Sequence, residues 1–292
     1  MRYLLLIAFL LLNACTSEQP LRLGTNVWPG YEPLYVARER GLLDPAEVRL
    51  VELSSASQVI RALQNGELDA AALTLDEAAR VAAQGTDIAV ALVLDISHGA
   101  DAVVSHTPVN GATDLRGKRI ILEAGSVGEL MLEALLREFR LPPKDIRRVY
   151  RTVNDHARAF LAGEGDVLIT FEPHVSRLLR RGDVYKIFDS RQIPDSIIDV
   201  LVIRQDRLAA HREKLEHVTQ AWFDTLAFYQ TDPEHALKLA NRRLRANPED
   251  LKAMYAGLLL GTRNVQQRLA ARWPLTLKTA GELARLKEGV PL

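Results

Sequence analysis

Leu21-Arg22-Leu23-Gly24-Thr25 runs directly into Asn26-Val27-Trp28-Pro29-Gly30-Tyr31-Glu32-Pro33-Leu34, with Gly41 closing the stretch. The first five residues read as a short strand, and the Pro29-Gly30 pair breaks it. Tyr31 to Arg40 then reads as a helix, with Pro33 in its first turn, where a missing backbone donor costs nothing, and Gly41 as its stop. Strand, loop and helix in that order are the repeating unit of an α/β fold.

Working outward, the same unit recurs. Val48 to Leu53, Leu68 to Leu73 and Ile88 to Leu94 read as strands, separated by helices over Ser57–Asn65 and Asp76–Gln84 that stop at Gly66 and Gly85. The pattern restarts after about Ala102. A strand ending at Leu122 leads to a long helix from Ser126 to Arg140 and the break Pro142-Pro143, then to strands near Ile146–Tyr150, Asp166–Phe171 and Val184–Phe188 with helices between them. After an extended run from Ile197 to Ile203, the remainder from Arg207 to Glu288 reads as helical, interrupted at Pro233, Pro248 and Pro274, with no further strand expected. The sequence shows no internal repeat and no low-complexity linker.

Composition limits what such a chain does. Of 292 residues, 48% are apolar and 25% charged, the mixture of a protein that buries a core. Lys plus Arg equals Asp plus Glu at 37 each, so no overall field recruits nucleic acid or an acidic membrane. Cys15 is the only cysteine, which excludes an intramolecular disulfide, a multi-cysteine zinc site and a cysteine nucleophile in the body of the chain. The seven histidines are scattered, and His211 and His217, six apart on one expected helix, do not share a face; no metal site and no cofactor is expected.

The N-terminus adds a location. Arg2 and an apolar run from Tyr3 to Leu12 are too short to span a bilayer, which takes about 20 apolar residues, and match a secretory signal over residues 1–14. Leu12-Asn13-Ala14-Cys15 resembles a bacterial lipobox, so Cys15 is the expected lipidation site and residues 15–20 a polar tether; an ordinary cleavage site with an incidental cysteine is the alternative.

Three further segments join the opening one in a family pattern. Ala62-Leu63-Gln64-Asn65-Gly66-Glu67-Leu68-Asp69-Ala70-Ala71, Asp114-Leu115-Arg116-Gly117-Lys118-Arg119-Ile120 with Gly125-Ser126, and Gly165-Asp166-Val167 through Phe171-Glu172-Pro173 follow in order. Together, from about Leu21 to Ile203, the chain resembles the nitrate/sulfonate/taurine-type substrate-binding proteins of ABC transporters, a group that includes binders of thiamine pyrimidine precursors. The resemblance implies an α/β, two-lobed, periplasmic-binding-protein-like clamp, each lobe a sheet flanked by helices, with a helical C-terminal region. It places lobe 1 at 21–102 plus 204–292 and lobe 2 at 103–203, with hinge crossings at Asp101–Ser105 and Asp199–Ile203. The implied partners are a small-molecule ligand and a membrane ABC permease, with the protein a monomer outside the cytoplasm.

Ligands of open α/β sheets sit beyond the carboxyl ends of the strands. The loops expected there supply the candidate ligand-binding residues Asn26, Trp28, Tyr31, Glu32, Ser54, Ser55, Thr74, Asp76, Asp95, Glu123, Ser126 and Glu172, with Asp199 from the return crossing. Trp28 and Tyr31 offer flat faces for stacking on a cationic or heteroaromatic ligand. Helix N-termini alone would favour an anion. The acids in these loops oppose it, because a close charge pair at effective dielectric 20 is worth about 4 kcal/mol and a helix terminus only about 0.3 to 1 kcal/mol. With no Lys or Arg in those loops and only His98 and His174 able to carry positive charge, an amine-bearing solute fits better; acids that merely cap helices are the competing explanation. Two other functions share the clamp: a sensor for a membrane signalling partner, and an acid/base enzyme using Asp76 or Glu172. A thiaminase-like enzyme would need a cysteine that the body of the chain lacks.

Overall fold

The computed structural model describes residues 19–270 and 287–288; the expected signal, Cys15 and most of the tether lie outside them. Two sheets form. The first has the order β11-β4-β10-β3-β1-β2, built from β1 (Leu21–Thr25), β2 (Val48–Glu52), β3 (Ala70–Thr74), β4 (Ile88–Ser97), β10 (Ile198–Arg204) and β11 (Leu258–Leu260), with β12 (Lys287–Glu288) pairing along β4. The second has the order β7-β6-β8-β5-β9, built from β5 (Asp101–Ser105), β6 (Arg119–Leu122), β7 (Arg147–Tyr150), β8 (Val167–Phe171) and β9 (Tyr185–Asp189). The fold is that of the periplasmic binding proteins, two helix-flanked sheets in a mixed α/β chain.

The helices follow the sequence pattern closely. In the first unit they are α1 (Glu32–Glu39), α2 (Ala56–Gln64) and α3 (Leu75–Ala83), and in the second α4 (Val127–Glu138), α5 (Val153–Leu161) and α6 (His174–Leu179). Parallel pairings β1–β2, β1–β3, β6–β7 and β6–β8 require crossover connections, which these helices provide. All five residues of β3 and of β8 are buried, as expected of strands covered on both faces.

Three expectations need correction. Asp101–Ser105 is not a crossing but β5, paired antiparallel between β8 and β9, and Asp199–Ile203 lies within β10, paired antiparallel between β3 and β4. Apolar runs with buried partners on both sides are sheet centres, so the crossings move to His98–Ala100 and Ser190–Ile197. They are tied together there: Ser97 and Ser190 hydroxyls lie 2.8 Å apart, and Ser190 Oγ accepts from the Gly99 amide at 2.6 Å. The third correction is β11, a strand in the stretch expected to be helical, which pairs with Asp95–Ser97 at the edge of β4. Gly261 follows it so closely that a side chain there would strike the Val93 carbonyl.

The C-terminal helices α7 (Gln205–Thr231), α8 (Pro233–Leu244), α9 (Pro248–Ala256) and α10 (Arg263–Ala270) do more than complete the first unit. Arg177 of α6 donates to the Leu244 carbonyl at 2.7 Å, and Arg180 pairs with Asp250 at 2.6 Å, so α8 and α9 also touch the second unit. Among the described residues no helix is long and apolar enough to cross a membrane.

Candidate functional site

Antiparallel insertion of β10 explains how the site is made. Parallel strands β1 and β3 end at Thr25 and Thr74, and β10 runs the other way, so its second residue, Asp199, arrives where they finish. Register sets Asp199 opposite Thr74 on one side and opposite Asp95 on the other. From the second sheet, Asp101 begins β5 opposite Phe171 at the end of β8. Between the two sheets lies a cavity of ≈ 20 Å³, lined by Asn26, Trp28, Tyr31, Thr74, Glu77, Asp101, Phe171 and Asp199. That is room for about one water, as in a cleft closed on itself.

The two aromatic residues are fixed by the acids. Trp28 Nε1 donates to Asp95 Oδ2 at 3.1 Å, with its ring edge-on to Phe171 across the cleft at 5.6 Å. The Tyr31 hydroxyl donates to Asp199 Oδ1. Gly30 makes the first bond achievable, because a Cβ there would collide with both the Asp95 carboxylate and the indole nitrogen. Once these bonds are made, no donor among the described residues reaches Asp95 Oδ1, Asp101 Oδ2 or Asp199 Oδ2, all buried, and Asp95 and Asp199 are close enough to share a proton. The three aspartates are at most 3% exposed, and among the described residues no Lys, Arg or His lines the cavity.

Burial pushes all of these carboxyls upward. Asp95 rises to about 8 and Asp101 to about 7, desolvation being the largest cause in each. Asp199 rises well above the usual range, again through desolvation and then through the charge of Asp95. Three buried carboxylates cannot all ionise in so small a space, so the empty cleft holds protons near neutral pH. A carboxyl whose folded pKa is raised contributes stability that is present at low pH and lost as pH passes through the raised value. His156 and His174, both lowered to about 4 by burial, act oppositely and cost stability only below about pH 6.5. The empty protein is therefore expected to lose melting temperature steadily from pH 6.5 to 9, readable in a thermal-denaturation series; a flat or rising curve would contradict the raised carboxyls.

The structure gathers Asn26, Trp28, Tyr31, Thr74 and Asp199 at the cavity, with Asp95 beside it through its bond to Trp28, and sets the remaining candidates around or away from it. Glu32 points the other way: it is buried under α8, where both its oxygens receive Arg243 Nε at 3.0 and 3.1 Å. Ser54 is exposed and donates to Gln58 Oε1 at 2.6 Å. Ser55 and Ser126 cap α2 and α4 by accepting from the Gln58 and Gly128 amides. Asp76 receives the Thr74 hydroxyl at 2.6 Å and pairs with Arg80 at 2.8 Å. Glu172 folds back on Ser176, accepting from its amide and hydroxyl. Glu123 accepts from the Ser57 amide at 3.1 Å. His174, considered as a cation in the cleft, is neutral at physiological pH because it is buried and beside Arg177.

Asp101, Glu77 and Phe171 belong to the site although they were not among the candidate binding residues. Asp101 carries a signal in the sequence, an acid that follows Gly99-Ala100 and opens the apolar run Ala102–Val104, but the same position also reads as the start of a crossing. Phe171 stood in a recognised motif beside Glu172, and the alternation of β8 left open which of the two faced the cleft.

Two helix-flanked sheets with a polar cavity between them define a periplasmic-binding-protein clamp. The chain belongs to the NMT1-like family, whose profile matches residues 16–245. Among curated proteins it is 26% identical over 205 residues to the taurine-binding periplasmic protein of Escherichia coli K12, covering 69% of this chain and 62% of that one. It is 24% identical over 184 residues to the putative aliphatic sulfonates-binding protein of the same organism, covering 61% of this chain and 57% of that one. The matches thus span about three-fifths of those relatives' length. Among solved structures, the alkanesulfonate-binding protein SsuA of Xanthomonas axonopodis pv. citri, bound to MOPS, superposes with a TM-score of 0.74 at 18% identity, covering 93% of this chain and 97% of that one.

Proposed function

We propose that this protein is an extracytoplasmic, non-enzymatic solute-binding lipoprotein that closes its two lobes on a small amine-bearing or cationic heteroaromatic molecule and delivers it to an ABC permease. The capture and delivery role is supported by the family and by the taurine- and sulfonate-binding relatives. The ligand class is where this chain parts from those relatives, and one observation carries it: the buried aspartates Asp101 and Asp199, each with an oxygen that no donor among the described residues reaches, line a cavity to which those residues bring no basic side chain. An ammonium or protonated ring nitrogen supplies the donors and charge those oxygens lack, and Trp28, Tyr31 and Phe171 give it aromatic walls. A sulfonate would bring three more acceptors to a site already in excess of them.

A thermal-shift panel on protein beginning at Ser17 tests the ligand class by setting amines, polyamines and thiamine pyrimidines against taurine, alkanesulfonates and nitrate. Stabilisation by members of the first group alone is expected; a shift with alkanesulfonates and none with amines would defeat the cationic reading. Anchoring through Cys15 predicts that Cys15→Ser moves the protein from the membrane fraction to the soluble one, and retention on the membrane would remove the lipid assignment.

A further inference from the structure

The cavity between the sheets, at ≈ 20 Å³, has room for a group the size of one ammonium head. The body of a solute needs space elsewhere, and a second cavity of ≈ 150 Å³ opens between α2, α3 and the Ala124-Gly125 turn of the other lobe. Glu77 lines both cavities. The outer volume equals the share of about five waters in the liquid, enough for a short chain that ends in a carboxylate.

The two cavities differ in charge. Among the described residues the inner one has acids and no base, whereas the outer one is lined by two arginines, Arg61 of α2 and Arg80 of α3. Arg80 is committed through one nitrogen: its Nη2 pairs with Asp76 at 2.8 Å and donates to the Gly125 carbonyl at 3.4 Å. Its Nε is buried, and no acceptor among the described residues reaches it. Arg61 is exposed, and no carboxylate among the described residues pairs with it. The nearby acids do not cancel this excess. Asp76 is taken by Arg80, and Glu123 accepts from the Ser57 amide and does not line the outer cavity. Glu77 accepts from the amides of Thr74 and Val127, and burial raises its carboxyl to about 8, so it does not count as a full charge at neutral pH.

We infer that the outer cavity is a carboxylate subsite and that the solute is a zwitterion, its ammonium on Asp101 and Asp199 and its carboxylate on Arg61 and Arg80 Nε. A carboxylate supplies the acceptors that both guanidinium groups lack, in a charge-assisted geometry. Because Glu77 lines both cavities with its carboxyl anchored to two amides, the solute passes alongside it, and its charges are held further apart than the two carbons of taurine allow. The subsite has walls from both lobes, so it encloses the carboxylate only when they come together on the solute. This inference rests on the cationic reading of the inner cavity and adds a second, opposite charge to it.

The test titrates the mature protein calorimetrically with matched pairs that differ in a terminal carboxylate or methyl: γ-aminobutyrate and butylamine, δ-aminovalerate and pentylamine, ε-aminocaproate and hexylamine. In at least one pair the amino acid is expected to bind about tenfold tighter than its amine, the gain from one hydrogen bond to a charged group. Arg61→Glu changes an exposed side chain that has no partner to lose, and in this variant the amino acid is expected to bind no better than the amine. Amines that bind as tightly as their amino acids, or a gain that survives Arg61→Glu, would overturn the carboxylate subsite and leave the cationic reading standing. Valerate that binds as tightly as δ-aminovalerate would overturn the cationic reading and the zwitterion with it. Silence from every pair would overturn the zwitterion, while the panel of amines, polyamines and thiamine pyrimidines decides the cationic reading separately.

Discussion

Arg243→Ala is expected to lower the melting temperature by about 6–20 °C, the largest stability effect of any single change considered. Arg243 closes α8 onto the first sheet. Its guanidinium lies 3.3 Å from the ring centre of Tyr35, donates to both oxygens of Glu32 and pairs with Glu52. Glu32 is almost wholly buried, and even beside Arg243 its desolvation holds the carboxyl up at about 7. Removing one partner of a buried pair costs about 3–5 kcal/mol because the other is left charged and unsolvated. For a protein of this size each kcal/mol moves the midpoint by roughly 2–4 °C. The orphaned Glu32 would rise further and keep its proton at low pH, so the loss is expected to be smaller at pH 5 than at pH 8.5. Calorimetric melts at both values check this; an equal loss at each would place the effect in lost packing on Tyr35 and not in the buried charge.

Asp199→Asn is expected to move stability and binding in opposite directions. The amide oxygen still accepts from Tyr31, and the shape of the cleft is kept. A buried carboxyl that must hold a proton well above its ordinary range to stay in the folded cleft is gone, so the protein without solute should melt higher at pH 8 than wild type. Affinity for the cationic solute should fall by about three orders of magnitude, the equivalent of about 4 kcal/mol for a close charge pair at effective dielectric 20. A residue kept only for structure would not behave this way, because its loss would lower the melting temperature and leave binding alone. Melting curves and titrations of the two proteins together separate the two cases.

Much of this was legible in the residues, and the rest was hidden for physical reasons. Strand and helix periods located nearly every element to within a residue or two, since covered strands are uniformly apolar and the helices have clear caps and glycine stops. The crossings were misplaced because Asp101–Ser105 and Asp199–Ile203 look alike whether they link two sheets or sit within one; pairing partners decide that, and they are distant in sequence. Leu258–Leu260 was missed because three leucines after a helix carry no period of their own, and only the open edge of β4 makes them a strand. In the site, the acidity of the loops is visible in the sequence. Which acids converge was not visible: Glu32, next to Tyr31 in the chain, is drawn away by Arg243, whereas Asp95, Asp101 and Asp199 meet only through the antiparallel insertion of β10 and the turn at Gly99. Adjacency in sequence favoured the first, and register chose the others.

The most direct measurement of the central claim is mass spectrometry of the solute released by denaturing this protein after purification from the envelope of cells that make it. A released small molecule with a basic or quaternary nitrogen and no sulfonate is the result the acidic cleft predicts. Release of an alkanesulfonate, nitrate or another anion without a cationic centre would contradict it.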